Sequence, residues 1–255
     1  MYAEERQLEL AALVASERRV SVSSAAERFG VTTETVRRDL AVLEHQGLIH
    51  RVHGGAVPAD LLTTVEVAVS EREREAAEQK DRIARAALDQ LPGDGGSIVL
   101  DSGTTTRRLA ACLPVERRLT LFTNSASVVT RLAGHAGLDL HLLGGRVRPT
   151  TQAAVGPAAV GALTNLRVDV SILGTNGLTA DHGLTTPDPD EAAVKSAMIR
   201  AGHRVVVLTD SRKLGQETLV RFGTCAQMDA LVTDDGISDA DVSALEALDI
   251  EVIVA

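Results

Sequence analysis

The chain has 255 residues, 44% of them hydrophobic and 24% charged, and it contains two cysteines and no Trp. This composition is typical of a folded globular protein and excludes collagen-like, disordered and disulfide-stapled chains. The net charge of −9 argues against a nonspecific nucleic-acid coat, which needs a surplus of basic residues. A charged amino terminus and the lack of a long apolar run predict a cytoplasmic protein without a membrane partner.

Neither cysteine lies in a metal-binding pattern. Cys112 and Cys225 are far apart in the sequence, and neither has His or Cys neighbours at metal-ligand spacing. We expect two small reduced thiols, and we predict neither a metal site nor a cofactor.

The pattern of the sequence changes near Pro58. We predict a small DNA-binding domain over residues 1–57, a linker over 58–70 and a larger domain over 71–255. The run of alternating charges at 70–80 predicts an exposed helix with i,i+4 ion pairs.

Residues 20–40 have the pattern helix, turn, helix. Ser24 and Glu27 have capping-box spacing, Gly30 can adopt the positive φ that ends a helix, and Thr32 is a suitable N-cap for the next one. The segment therefore predicts the helix-turn-helix of a DNA-binding domain.

The second of these helices has one apolar face. Val36, Leu40 and Leu43 follow the i, i+4, i+7 spacing that packs against a core, and the helix is predicted to run to about Gln46, before Gly47. Its other faces remain available to the major groove of DNA, where Arg can pair with guanine.

Arg37 and Arg38 lie about 100° apart around this helix, so we expect one to read a base and the other to hold a phosphate. After Gly47, residues 48–56 resemble two short strands ending in a Gly pair, which suits a wing facing the DNA backbone. The predicted DNA-binding residues are Thr33, Glu34, Thr35, Arg37, Arg38, Arg51 and His53.

The alternative interpretation is that the arginine pair is only a solvated helix face. Residues 1–57 contain seven Arg and no Lys against eight acidic residues, so this domain can be basic only along one face. The caps, the apolar phase and the Gly-Gly segment agree on one motif, and this agreement favours DNA binding.

The larger domain alternates apolar runs with helical patterns. The runs predict strands buried on both faces of a mostly parallel sheet, with helices between them. The predicted strands are 97–100, 119–122, 138–143, 168–173, 205–208, 230–233 and 250–254. The predicted helices are 105–113, 125–134, 157–165, 188–201 and 239–248.

Small polar residues follow the first of these strands. A loop of Ser, Gly and Thr at a helix amino terminus offers backbone N–H groups, hydroxyls and the positive end of the helix dipole to a phosphate. The Gly-Lys-Ser/Thr ending of a Walker A loop is absent, so nucleotide hydrolysis is not expected. Such a turn can also be only a helix cap.

Similar clusters follow other strands, and the carboxyl ends of parallel strands converge. We expect Asp101 either to fix the loop or to receive a sugar hydroxyl, and Lys213 to neutralise a phosphate, with Lys195 and Arg146 as alternatives. The predicted ligand-binding residues are Asp101, Ser102, Gly103, Thr104, Thr105, Thr106, Thr123, Asn124, Ser125, Gly144, Gly145, Arg146, Thr175, Asn176, Gly177, Lys195, Asp210 and Lys213.

The motif Arg-Arg-Asp-Leu at 37–40 and the motif His-Gly-Gly-Ala at 53–56 resemble those of the DeoR family of bacterial repressors. The resemblance continues through the second domain and implies a small winged helix-turn-helix domain followed by a larger sensor domain. It further implies that this mostly parallel α/β domain resembles ribose-5-phosphate isomerase. Those isomerases carry an acidic Asp-Gly-Ala-Asp segment where this chain has Leu-Gly-Thr-Asn at 173–176, which predicts a pocket that binds without reacting. Arg212 departs from the family's Asp-Ser-Ser-Lys motif.

Within that family, residues 1–7, 151–157 and 182–195 are similar to those of actinobacterial fructose-operon repressors. This similarity implies fructose 1-phosphate or fructose 1,6-bisphosphate as the effector. We therefore predict a repressor of a sugar-utilisation operon that a phosphorylated sugar releases from operator DNA.

Two other functions remain open at this point. One is a phosphosugar isomerase with an appended DNA-binding domain, and the other is an activator or an architectural protein that responds to no ligand. Because one helix-turn-helix reads few base pairs and usually binds paired half-sites, we expect a homodimer or homotetramer.

Overall fold

The computed structural model describes residues 3–17, 20–52, 54–58 and 69–255. Within these ranges, the amino-terminal domain has three helices and a three-stranded sheet. Its elements in chain order are α1 (Ala3–Glu17), β1 (Val20–Ser21), α2 (Val22–Phe29), α3 (Thr33–His45), β2 (Ile49–Val52) and β3 (Gly55–Pro58). The predicted apolar face of α3 is confirmed, because Val36, Leu40 and Leu43 are at most 2% exposed and pack with α1 and α2.

The turn between α2 and α3 is mostly as predicted. Gly30 has φ +63 and ends α2, and the Thr32 hydroxyl accepts a hydrogen bond from the N–H of Thr35. The predicted capping box at Ser24 is wrong, because Ser21 is the N-cap and its hydroxyl accepts from the N–H of Ser24. The cap lies earlier because β1 ends at Ser21 in extended conformation and α2 begins directly after it.

The wing is built from β2 and β3, an antiparallel pair to which β1 adds a third strand. Its two glycines have different structural roles. Gly54 has φ +77, a conformation that favours glycine. A Cβ on Gly55 would lie 2.2 Å from the carbonyl oxygen of Val20, so only glycine lets β1 and β3 approach.

The carboxy-terminal domain is built around a seven-stranded sheet in which every pair is parallel. Its strands are β4 (Gly96–Leu100), β5 (Leu119–Thr123), β6 (Leu138–Leu142), β9 (Val168–Gly174), β12 (Gly202–Leu208), β14 (Ala230–Thr233) and β15 (Glu251–Val254). The order across the sheet is β15-β14-β12-β9-β4-β5-β6. The predicted mostly parallel sheet is confirmed, with strand ends shifted by at most three residues.

Helices accompany this sheet. They are α4 (Val69–Arg72), α5 (Ala77–Ala86), α6 (Thr104–Cys112), α7 (Ala126–Leu132), α8 (Pro157–Thr164), α9 (Pro189–Ala201) and α10 (Asp239–Glu246). Two hydrophobic clusters, composed mostly of Val, Leu, Ile and Ala residues, fill the interior of the domain. Among the helices that the structure describes, none is both long and apolar enough to cross a membrane.

Two small antiparallel sheets lie in segments for which the sequence indicated no strand. One pairs β7 (Arg146–Val147) with β8 (Ala154–Val155), and the other contains β10 (Gly177–Thr179), β11 (Gly183–Thr186) and β13 (Val220–Gly223). These strands are only two to four residues long, too short for an alternating pattern to be recognised.

The charged run at 70–80 differs from its prediction. It forms the end of α4, a turn and the start of α5, and Lys80 is 1% exposed. Ion pairs join this segment to other elements, such as Glu73 to Arg107 and Glu75 to Arg212. The continuous exposed helix is therefore wrong, because tertiary contacts outweigh local i,i+4 pairing, which contributes only about 0.2–0.5 kcal/mol per pair.

Candidate functional site

The outer face of α3 is the candidate DNA-binding surface. The side chains of Arg37 and Arg38 are 60% and 80% exposed, and Glu34 lies 3.8 Å and 3.6 Å from them. Such exposed ion pairs contribute little, so both arginines can exchange Glu34 for a phosphate or a base. Thr33 is also exposed, whereas Thr35 is half-buried and its hydroxyl bonds Thr32.

The wing supplies one further exposed cation. Arg51 in β2 donates from Nε to Glu44 Oε2 at 2.6 Å, and its backbone N–H donates to the other oxygen of the same carboxylate. An Arg51 that contacts a DNA phosphate must first give up the side-chain bond to Glu44. The predicted His53 lies outside the described residues.

A polar cleft lies where the strand order of the large sheet reverses. The chain proceeds from β4 to β5 and β6 on one side, while β9 and β12 lie on the other side of β4. In open parallel sheets, ligands bind beyond the carboxyl ends of the strands at such a switch point. The residues that line this cleft are Arg72, Ser102, Gly103, Thr104, Thr105, Thr106, Thr151, Gly174, Thr175, Asn176, Glu191, Lys195, Leu208 and Lys213.

The loop after β4 forms one wall of the cleft. Helix α6 begins at Thr104, and the first amides of a helix have no partner within it. The N–H of Ser102 donates to Asn124 Oδ1 at 3.1 Å, which ties the loop to the end of the neighbouring strand β5. Residues 103–106 therefore present backbone donors at a helix amino terminus, as a phosphate site requires.

Two lysines reach the cleft from other elements. The Lys213 ammonium donates to the carbonyl of Thr175 at 2.8 Å, and burial lowers its pKa to about 8 although Asp210 opposes the shift. Lys195 of α9 donates to Asp101 and to the carbonyl of Gly174. The charge of Lys195 is therefore already compensated, and Lys213 is the better placed cation for an anionic ligand.

Asp101 lies behind the cleft and is 1% exposed. Its carboxylate accepts from Lys195 and from the N–H of Gly174, so it fixes the loop after β9. Burial raises the pKa of Asp101, and Lys195 opposes this shift. This geometry agrees with the loop-fixing role among the two roles predicted for it.

A carboxylate in the cleft was missed by the sequence interpretation. Glu191 is 5% exposed and accepts hydrogen bonds from Arg148 at 2.6 Å and from the Thr151 hydroxyl. Burial acts to raise its pKa, but Lys195, Thr151 and Arg148 together lower it. The side chain is therefore ionised and can accept a hydroxyl. The other lining residues outside the predicted set are Arg72, Thr151, Gly174 and Leu208. Gly174 directly precedes the predicted Thr175, and the other three carry no local ligand signal.

The structure brings together in this lining the predicted residues 102–106, Thr175, Asn176, Lys195 and Lys213. The remaining predicted residues lie outside it. They are Asp101, Thr123, Asn124, Ser125, Gly144, Gly145, Arg146, Gly177 and Asp210. Several have structural tasks: Ser125 caps α7, and Gly177 lies in β10 against the backbone of Gln216. Arg146 is 60% exposed and pairs with Asp190.

Comparison with known proteins identifies both domains. The model of the DeoR-like helix-turn-helix domain matches residues 6–60, and that of the DeoR C terminal sensor domain matches residues 75–235. The HTH-type transcriptional regulator GlpR of Haloferax volcanii is 37% identical over 93% of this chain and 91% of its own length. The glycerol-3-phosphate regulon repressor of Escherichia coli is 32% identical over 87% of each chain.

A solved structure of D-ribose-5-phosphate isomerase in complex with phospho-erythronic acid is 18% identical, covers 54% of each chain and has a TM-score of 0.40. The curated relatives named above are regulators and not enzymes, which confirms the predicted class and sets the isomerase alternative aside. With both family models matched in order along its length, the chain belongs to the DeoR family of transcriptional regulators.

Proposed function

We propose that the protein represses a sugar-utilisation operon by binding its operator through α3 and the wing, and that a phosphorylated sugar in the cleft releases it. The observation that carries this proposal is the convergence of residues 102–106 with Lys213 in one small polar cleft. The domain division of 1–57, 58–70 and 71–255 is part of the same proposal.

The phosphate would lie against the amino terminus of α6. Amides of the first helical turn and the hydroxyls of Thr104 and Thr105 provide hydrogen-bond donors there, and Lys213 adds a cation from the opposite wall. Charge-assisted hydrogen bonds of this kind are roughly twice as strong as neutral ones, so the phosphate would supply much of the binding energy.

The sugar hydroxyls would face the other polar groups of the lining. Glu191 can accept a hydroxyl hydrogen, and Asn176 is held in place through Oδ1 by the hydroxyl of Thr186 at 3.2 Å. These fixed groups favour a polyhydroxylated ligand over inorganic phosphate alone.

The sequence resemblance favours fructose 1-phosphate or fructose 1,6-bisphosphate as the effector. The name of the Escherichia coli relative adds glycerol 3-phosphate as a compound to compare. We also propose a homodimer or homotetramer that acts in the cytoplasm, because paired half-sites on DNA match a two-fold assembly.

The proposal is tested on an operator recovered by selecting DNA fragments that the purified protein binds. Gel-shift titrations then compare fructose, fructose 1-phosphate, fructose 1,6-bisphosphate and glycerol 3-phosphate at fixed salt. We expect at least one phosphate ester to lower operator affinity and the free sugar to have no effect. Equal potency of fructose and its phosphates, or no response to any of them, contradicts the proposal.

A further inference from the structure

Residues 69–76, which we name the strap, lead from the last residues of the proposed linker to α5 beside the cleft. The strap consists of α4 and the turn that follows it. The N–H of Val69 donates to the carbonyl of Thr150 at 2.9 Å, and the next residue, Thr151, lines the cleft. The strap is thus fixed to the rim of the cleft at the point where the chain arrives from the DNA-binding domain.

One side chain of the strap lines the cleft. Arg72 is half-buried and shares the lining with Lys213 and residues 102–106. The positive charge of Arg72 contributes to the lowered pKa of Lys213, after the larger effects of burial and of Lys80. Arg72 and Lys213 thus face the same small volume, and an anion bound between them would reduce the repulsion between their charges.

The strap is also bound to both walls of the cleft. The Glu73 carboxylate accepts from Arg107 and Arg108 of α6, the helix that carries the loop 102–106. On the other side, Glu75 lies 3.8 Å from Arg212, the neighbour of Lys213. The part-buried pairs of Glu73 therefore join the strap to α6, whereas the exposed pair of Glu75 contributes little.

A buried lysine of α5 is hydrogen-bonded to the backbone of the strap. Lys80 is 1% exposed, and its ammonium donates to the carbonyl of Arg72 at 2.6 Å. Burial lowers the pKa of Lys80, while Asp210 and Glu75 oppose the shift. Because a buried charge must be hydrogen-bonded, this ammonium holds the backbone carbonyl of Arg72 in place.

We propose that Arg72 binds the anionic group of the effector and that the strap carries effector occupancy to the DNA-binding domain. This inference rests on the proposed function of the cleft. It assigns Arg72 to the effector as a cation in addition to Lys213. It also assigns a route for the signal, because the strap is joined to β3 of the DNA-binding domain through residues 59–68.

Energetically, the coupling is reciprocal. An effector that binds more tightly when Arg72 contacts it favours the strap position that goes with that contact, and operator binding then disfavours the effector by the same factor. A variant that breaks the strap away from α6 should therefore lose coupling while the effector still binds.

The test uses the full chain and fructose 1-phosphate as the probe, with inorganic phosphate as the anion alone. For Arg72→Gln we expect the dissociation constant of fructose 1-phosphate, measured by calorimetry, to rise at least tenfold. The thermal protection given by inorganic phosphate should fall with it. Affinity for the operator without effector should remain within about threefold of wild type. Arg72→Lys keeps the charge and should recover part of the loss, which separates a binding role from damage to the fold.

For Glu73→Gln we expect fructose 1-phosphate to bind within about threefold of wild type but to shift operator affinity at least fivefold less. Glu78→Gln is the matched control, since it removes the same charge from an exposed position on α5. Wild-type protein that no phosphate ester releases refutes the proposed function. Wild-type release together with unchanged effector affinity in Arg72→Gln overturns the assignment of Arg72. If fructose 1-phosphate lowers the operator affinity of Glu73→Gln as strongly as that of wild type, the proposed role of the strap is wrong.

Discussion

The DNA-binding surface and the cleft are assembled from the chain in different ways. The exposed residues of α3 lie within one helix of 13 residues, and caps and apolar periodicity within that helix determine where each points. The cleft draws on groups from Arg72 to Lys213, which only the order of the sheet brings together. The first surface is a local structure presented by a small core, whereas the second exists only in the complete domain.

This difference predicts how substitutions act. A change on the outer face of α3 should alter DNA binding and leave the fold intact. A change in the cleft should alter the response to effector and leave operator binding intact. The following experiments test that separation, beginning with the largest expected effect.

Lys213→Ala should give a repressor that binds its operator normally but is not released at wild-type effector concentrations. Loss of a charge-assisted hydrogen bond costs on the order of 1.5–3 kcal/mol, which weakens effector binding by roughly ten- to more than a hundredfold. Gel-shift titration with fructose 1-phosphate measures this directly. Arg146→Ala is the matched control, because Arg146 is exposed and paired with Asp190 outside the cleft. Normal release by Lys213→Ala would transfer the role to another cation of the lining.

Arg37→Ala should weaken binding to the operator by about 1–3 kcal/mol if Arg37 reads a base. Arg38→Ala should then weaken binding to all DNA alike and reduce the salt dependence by about one charge, although the two roles can be exchanged. Affinity for operator and for random DNA is measured over a salt series, together with effector affinity, which should not change. If neither substitution alters DNA affinity, α3 is not the recognition helix.

Substitutions at the two wing glycines test whether backbone conformation or strand contact contributes more to the stability of the amino-terminal domain. Gly55→Ala should cost about 1–3 kcal/mol, because its Cβ would meet the carbonyl of Val20 and separate β1 from β3. Gly54→Ala should cost about 1 kcal/mol, since the positive φ is strained for alanine while the added Cβ would meet no other heavy atom within 4 Å. Thermal unfolding and operator affinity of the two variants are compared. A larger loss for Gly54→Ala would reverse this assignment.

The pH dependence of effector binding should reflect Lys213. Its pKa of about 8 in the free protein rises when a phosphate binds, so affinity falls by up to about tenfold per pH unit above pH 8. The phosphate itself is a dianion above about pH 6, which leaves the tightest binding between roughly pH 6.5 and 8. Calorimetric titrations from pH 6 to 9.5 measure the profile, and Lys213→Met should lack the fall above pH 8.

Without effector, the same lysine acts on stability with the opposite pH trend. The unfolded side chain keeps its proton up to about 10.5, whereas the folded one loses it near 8. The unfolded state therefore binds more protons in this window, and the contribution of Lys213 to the free energy of unfolding rises with pH from about 8 to 10.5. The increase should be absent from Lys213→Met.

The residues of one sequence motif have different roles in the structure. Asp39 stands in the Arg-Arg-Asp-Leu motif beside the predicted DNA-binding arginines, yet it is buried and accepts from Arg6 Nε at 2.6 Å and from Gln7 at 2.9 Å. It joins α1 to α3 and does not face the DNA-binding surface. The motif therefore combines exposed groups with a structural one, and the sequence pattern alone does not separate them.

The sequence by itself determined the elements whose causes are local. The ends of α3, the positive φ of Gly30 and the buried strands of the large sheet each depend on a few neighbouring residues, through capping, backbone freedom and apolar periodicity. Residues 102–106 were also recognisable, because a Thr-rich helix start is a local feature.

Only the tertiary structure decided which of the polar strand ends meet. Long-range pairing places β4 next to β9, so residues 102–106 face Gly174 and Lys213, while Gly144 lies beyond the edge strand β6 and outside the lining. Tertiary contacts also bring Glu191 and Arg72 into the cleft, although the sequence around each has the charged pattern of an exposed helix face. Strand order arises from contacts between residues far apart in the chain, and periodicity within a segment carries no information about it.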